Sequence, residues 1–166
     1  MEIVTQQITV IKPRWHKREY EFLAGKELAG RLKFTRNLNI HAEAQLFNEE
    51  WSVKKSGFWK TELEYKAAQR PFAKGKITMT ASGKAQLSAS DGKTYYFKKL
   101  KWWHTVSGWY NESNEPILEL KPNYSFNNKQ ATLTIHHTKH PDVIIMIILA
   151  WFMYTVQQSY IAASAG

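Results

Sequence analysis

The feature that most restricts this chain is a stretch of fourteen residues without charge, Val143 to Val156, in a sequence that elsewhere alternates polar and apolar side chains. Pro141 and Asp142 precede it. Proline suits a first helical turn, and an acid is favoured near a helix N-terminus. A helix is therefore predicted over about 141–160, with Gln157 to Tyr160 amphipathic and residues 162–166 as a frayed end. A helix apolar on every side must be buried, either in protein or in lipid. Spanning a bilayer takes about 20 residues, and runs of about 10–14 are the length of core helices. Extending the segment to Ala163 takes in Gln157, Gln158 and Ser159, and nothing basic follows it. The core reading is preferred, and a tail anchor is the alternative.

A core helix needs walls, and residues 2–137 read as strands. Trp59, Thr61, Leu63 and Tyr65 alternate with Lys60, Glu62, Glu64 and Lys66. Leu28, Gly30, Leu32 and Phe34 oppose Ala29, Arg31 and Lys33, and Ala131, Leu133 and Ile135 oppose Thr132, Thr134 and His136. One apolar and one charged face per strand is the pattern of antiparallel sheet. Turn signals separate the runs at Ala24-Gly25, Ser82-Gly83, Asp91-Gly92 and Asn111 to Asn114. Asp91-Gly92 reads as a two-residue hairpin turn with both central φ values positive. Arg36 to Ala44 is the least regular stretch and has room for a short helical turn. The count comes to about ten to twelve strands. Barrel diameter grows with strand number, and near eleven or twelve strands a central helix is one way to fill the interior. The expected fold is mainly β: one domain over residues 1–166, a single antiparallel barrel enclosing the hydrophobic C-terminal helix.

The hairpin rhythm of Asp91-Gly92-Lys93-Thr94-Tyr95-Tyr96-Phe97, then Trp109-Tyr110-Asn111, Pro116 to Leu120 and the apolar terminus resembles the tubby C-terminal superfamily. That superfamily includes the LURP-one-related and phospholipid scramblase-like proteins. The resemblance is architectural and covers most of the chain. It implies a barrel threaded by its C-terminal helix and a partner such as a phosphoinositide, held by basic side chains on the exterior. The scramblases have Cys-rich segments and this chain has no cysteine, a departure from that branch.

The absence of cysteine also removes disulfides, thiolate metal sites and a Cys nucleophile. No basic start with an apolar stretch opens the sequence, and the expected location is cytoplasmic, peripheral to a membrane. There is no phosphate-cradling glycine loop and no nucleophile elbow. Glu62 and Glu64 lie on a charged strand face, interleaved with lysines, where a solvated surface explains them better than acid–base chemistry. His136, His137 and His140 are close in sequence, but neighbours on a strand point to opposite faces and chelate poorly. No catalytic residue, metal site or cofactor is expected, and the chain reads as a non-enzymatic binding module.

The net charge of +9 favours an anionic partner. Lys12, Arg14, Lys17 and Arg18 surround Trp15 in a segment broken by Pro13. Basic groups with an embedded aromatic suit an anionic headgroup at a bilayer interface, and the same composition can hold phosphate and stack a base. Lys99 and Lys101, beside Trp102 and Trp103, form a second cluster, and Arg70 and Lys74 flank a third turn. These nine residues are the candidate ligand-binding set. The expected partner is an anionic membrane surface or phosphoinositide, with nucleic acid as the alternative. An interaction domain of unspecified ligand is the plainest reading.

Overall fold

The computed structural model describes residues 6–35, 41–56, 62–70, 73–80, 83–100, 105–124 and 127–165, and helix side chains as far as Gln158. The strands are β1 (Gln6–Ile11), β2 (Glu19–Ala24), β3 (Glu27–Phe34), β4 (His41–Leu46), β5 (Glu49–Ser56) and β6 (Glu62–Ala67). They continue as β7 (Lys74–Thr78), β8 (Ala85–Ser88), β9 (Thr94–Lys98), β10 (Ser107–Tyr110), β11 (Pro116–Pro122) and β12 (Lys129–Ile135), and the helix α1 spans Val143–Ala165. Every strand hydrogen-bonds antiparallel to its sequence neighbour except β7 and β8, and β12 returns to pair with β1. The result is a twelve-stranded meander, nearly closed, with β7 and β8 as its two edges. A single bridge, Met79 to Ala85, joins them.

The helix runs through the lumen. From Ile145 to Met153 nine consecutive residues are buried, which a helix lying on a sheet face cannot achieve. Its neighbours are β4 and β5 on one side and β10 and β11 on the other, opposite arcs of the twelve-strand ring. Trp109 on β10 donates its indole N–H to the Met146 carbonyl at 2.9 Å, a polar tie inside an apolar interior. Phe34 stacks on Phe152 with ring centroids 5.5 Å apart. No helix among the described residues is long and apolar enough to cross a membrane.

The period-two reading holds for most of the wall. Leu32, Phe34, Leu63, Ile77, Met79, Ala85, Leu87, Ala131, Leu133 and Ile135 are all buried. Leu28 is a correction: it is exposed, because the β2–β3 register shifts between Phe22 and Leu23. A bulge moves every side chain beyond it to the other face. His41 to Ala44 is strand rather than a helical turn, and Arg36 to Ile40 lie outside the described residues, as do Trp59 and Thr61. The Asp91-Gly92 turn also differs in type. Gly92 has φ 80° and its N–H bonds the Ala89 carbonyl, while Ala89 N–H bonds Lys93, so the loop is longer and only its last residue is left-handed. Asn111 to Glu115 repeats this pattern, with Asn114 at φ 61°. The two-residue turn with both φ values positive falls instead at Phe47 (48°) and Asn48 (67°).

At Gly30 the main chain of β3 lies close against that of β4. A Cβ there would lie 2.0 Å from the Gln45 carbonyl oxygen and 2.7 Å from Leu46 Cα. Both are main-chain atoms of a paired strand, so β4 would have to move. Gly30→Ala is expected to cost roughly 1–3 kcal/mol, the range for overpacking, read as a fall of several degrees in the calorimetric Tm.

Candidate anion-binding end of the barrel

In an antiparallel meander successive strands reverse, so their connections alternate between the two ends of the barrel. One end receives the chain from β12 into α1. Among the described residues it holds 25–26, 47–48, 68–70, 73, 89–93, 111–115 and 136–142. Here Lys26, Arg70, Lys93 and Lys139 are matched by Asp91, Glu112, Glu115 and Asp142. Among the described residues the opposite end gathers 12–18, 35, 79–80, 83–84, 99–100, 105–106, 123–124 and 127–128. These contain six Lys or Arg (Lys12, Arg14, Lys17, Arg18, Lys84 and Lys99) and no Asp or Glu. The strands are near balance, ten basic against nine acidic residues. Ion pairs such as Arg31–Glu21 at 3.1 Å and Lys76–Glu64 at 3.2 Å run across their outer face. Among the described residues the excess charge therefore resides in the connections at one end.

The helix delivers an aromatic mouth to that end. Tyr20 at the start of β2 meets Trp151 edge-on at 5.1 Å and Phe34 at 6.2 Å, and Trp151 stacks on Tyr154 at 5.3 Å. Two cations of the β1–β2 loop cover these rings. Lys12 Nζ lies 5.8 Å from the Tyr20 ring centre, and the Arg18 guanidinium lies 5.4 Å from that of Phe34. Each gains from the negative ring face. Burial, and then the neighbouring Arg18 charge, hold the Lys12 ammonium below the ordinary lysine value. Lys55, opposite Leu63 and so on the inner face of β5, is also lowered by burial. Burial pushes Tyr154 up to about 12. Cations held beside one another on an apolar rim gain from an anion that restores the charge balance.

Beyond this rim the loops project apolar rings into solvent. Trp15 is 86% exposed and Tyr124 75% exposed, and Leu100 stands out beside Lys99. Trp59, Trp102 and Trp103 lie outside the described residues.

The nine candidate residues consequently divide. Lys12, Arg14, Trp15, Lys17 and Arg18 form one loop of the basic end, and Lys99 belongs to another a third of the way round the ring. Lys101 lies outside the described residues. Arg70 and Lys74 are at the opposite end, where Arg70 pairs with Glu49 and lies over the Trp51 ring. The three clusters do not form one patch, and Lys84 joins the basic end from the β7–β8 connection.

No family model matches the chain, and no curated protein or solved structure is detectably similar to it.

The other end is a polar weld between wall and helix. Asp142 accepts from the Ser90 N–H at 2.6 Å and its own carbonyl begins the helical bonding to Met146. Tyr95 donates its hydroxyl to Asp91 at 2.6 Å, and His140, largely buried, lies edge-on to the Tyr95 ring. His136 bonds Glu119 at 2.7 Å. Among the described residues no three metal-ligating side chains converge. The Tyr95 hydroxyl, more than any other group, holds Asp91 below the usual carboxylate range, and burial pushes Tyr95 itself up to about 12. A depressed folded pKa contributes stability above the unfolded value that is lost as pH falls through the folded one. Tyr95→Phe is expected to flatten the acid limb, so that its Tm falls less than the wild-type Tm between about pH 6 and pH 2.

Proposed function

We propose that this chain is a non-enzymatic module that docks end-on against an anionic phospholipid surface, peripheral to the membrane. The observation that carries this reading is the segregation of charge: among the described residues, six basic side chains and no acid in the connections at one end, around exposed Trp15 and Tyr124. Each Lys or Arg near an anionic leaflet contributes about 1 kcal/mol, and Trp and Tyr rings are favoured at the headgroup level. Charge spread over three connections of a barrel end, at residues 12–18, Lys84 and Lys99, suits a surface better than a single small ligand. Phosphoinositide headgroups, the ligands expected from the resemblance to tubby-type barrels, belong to the same class and would meet the exposed Arg14 and Lys17 first.

Co-sedimentation with phosphatidylserine–phosphatidylcholine vesicles tests the reading. Binding is expected to need the anionic lipid and to fall steeply as salt shortens the screening length from about 10 Å at 0.1 M to about 3 Å at 1 M. Equal binding to pure phosphatidylcholine, or to neither vesicle, would sink it. Displacement of vesicle-bound protein by single-stranded RNA at matched salt would favour the nucleic-acid alternative.

A further inference from the structure

The central helix is longer than the wall it fills. A strand of 6 to 8 residues, at about 3.3 Å per residue and tilted about 40°, rises roughly 15–20 Å along a barrel axis. About twelve helical residues, at about 1.5 Å each, match that height. Burial stops at the same limit. Thr155 and Val156 are buried, Gln157 is half-buried and Gln158 is exposed. Gly83, in the β7–β8 connection, marks the rim, because a Cβ there would meet the Gln157 side-chain amide at 2.5 Å. Yet α1 continues to Ala165, past the end near Tyr160 that the sequence suggests. Gln158 to Ala165, eight residues, therefore carry the helix about 12 Å out of the barrel.

The helix enters at the end that holds residues 136–142, so it emerges at the other, basic end. Around its exit stand the cations of residues 12–18, Lys84 and Lys99, with no acid among the described connections there. From Gln157 to Ala165 the sequence itself carries no charge. These last turns fill no lumen, and a barrel core does not need them.

We propose that this extension is a membrane-insertion element, which passes through the headgroup layer of an anionic leaflet and stops at the acyl boundary. The inference rests on the end-on docking described above and adds to it the part of the chain that enters the bilayer. A bilayer of about 40–45 Å with a hydrocarbon core of about 30 Å leaves roughly 5–8 Å of headgroup on each side, which a projection of about 12 Å exceeds. Counted along the axis, Tyr160 comes about 5 Å past Gln157, the level at which tyrosine is favoured, and Ala163 about 9 Å past it. The depth has a physical limit. The last four carbonyls of a helix lack intrahelical partners, so they stay where water or headgroups satisfy them, and the end rests in the interface without crossing. A helix C-terminus is also negative, and the surrounding cations offset its repulsion from the leaflet. A second copy of this chain is disfavoured as the occupant, because two such ends would bring like cations together.

The chain has no cysteine, so a single introduced one reports on one position. Ala163→Cys and, in an exposed loop of the opposite end, Ser113→Cys are each coupled to a nitrobenzoxadiazole dye. Each labelled full chain is mixed with phosphatidylserine–phosphatidylcholine vesicles. The dye at 163 is expected to shift to the blue, and to be quenched more by lipids spin-labelled near the top of the acyl chain than by lipids labelled near its end. The dye at 113 should keep its aqueous spectrum. Ile161→Gln with Ala163→Gln leaves every charge in place. That double variant should keep the wild-type Tm and weaken vesicle binding about tenfold, by the same factor at low and high salt, whereas the loss of a cation matters less as salt rises. An aqueous spectrum at 163 on protein that co-sediments with the vesicles overturns the insertion and leaves docking in place. A blue shift at both positions overturns the end-on geometry and the insertion with it. A blue shift at 163 that grows with protein concentration in the absence of vesicles gives the helix end to a second copy and overturns the proposal. Absence of co-sedimentation removes docking and insertion together.

Discussion

Ile147→Asp is expected to yield no folded protein. Ile147 sits in the middle of the lumen helix at 1% exposure, between Met146 and Ile148, which are fully buried. The core cluster that contains Ile147 is apolar and aromatic, so a carboxylate placed there enters it without a partner. It must either be buried unpaired or be protonated, and either route is costly. A domain of ordinary stability has about 5–15 kcal/mol in total, so one such group consumes most of it. The helix is also the filling of the barrel. Without it the inward side chains of twelve strands line an empty bore. Loss of the helix and loss of the sheet should therefore coincide, seen as one loss of far-ultraviolet dichroism together with dye binding to exposed apolar surface. Ile147→Leu is the control: it conserves volume and is expected to cost less than about 1.5 kcal/mol. If Ile147→Asp stayed folded with native Tm, the helix would not be the core element described here.

The same burial explains why so much of the architecture is legible in the amino-acid sequence. Two periods are present, and each has one physical cause. Residues such as Leu63 and Ile77 alternate with Glu62, Lys76 and Thr78 because a wall strand has one wet face. Ile145 to Met153 do not alternate at all because every direction from the helix axis meets wall. Local departures are harder to read. The bulge that turns Leu28 outward leaves no mark in the pattern, since Leu28, Gly30 and Leu32 keep their spacing of two. The turn at Phe47-Asn48 has an aromatic where glycine would be expected, and its only turn signal is the single Asn.

The site was half legible for a different reason. Arg70 resembles Arg14 in composition, since each sits in a turn with a proline and an aromatic nearby. What separates them is parity: an odd or even number of strand reversals decides the end of the barrel on which a connection lies. Charge clusters judged by their spacing along the chain hide that rule. Once the meander is established, the connections sort themselves, and an excess that looks scattered becomes polar.

Replacing Lys12, Arg14, Lys17 and Arg18 together with Gln is expected to weaken binding to phosphatidylserine vesicles about a thousandfold. At about 1 kcal/mol per basic residue near an anionic leaflet, four neutralisations remove about 4 kcal/mol, and each 1.4 kcal/mol is tenfold. The loop lies outside the strand ladders, and Arg14, Trp15 and Lys17 are exposed, so the fold should survive. Lys12 and Arg18 cover Tyr20 and Phe34, and Gln keeps part of that apolar stem in place. Tm is expected to fall by only a few degrees while vesicle binding collapses. The comparison that isolates the geometry uses the opposite end: Lys26, Lys93 and Lys139 replaced with Gln lower the net charge by three but leave the basic end intact. If attraction depended on total charge, this variant would lose most of its affinity in proportion. End-on docking predicts little loss, because those side chains lie the length of a barrel away from the surface, beyond a Debye length of about 8 Å at physiological salt. Trp15→Ala completes the set. It leaves every charge in place, so its effect should persist at high salt, where the electrostatic share has been screened and ring insertion remains.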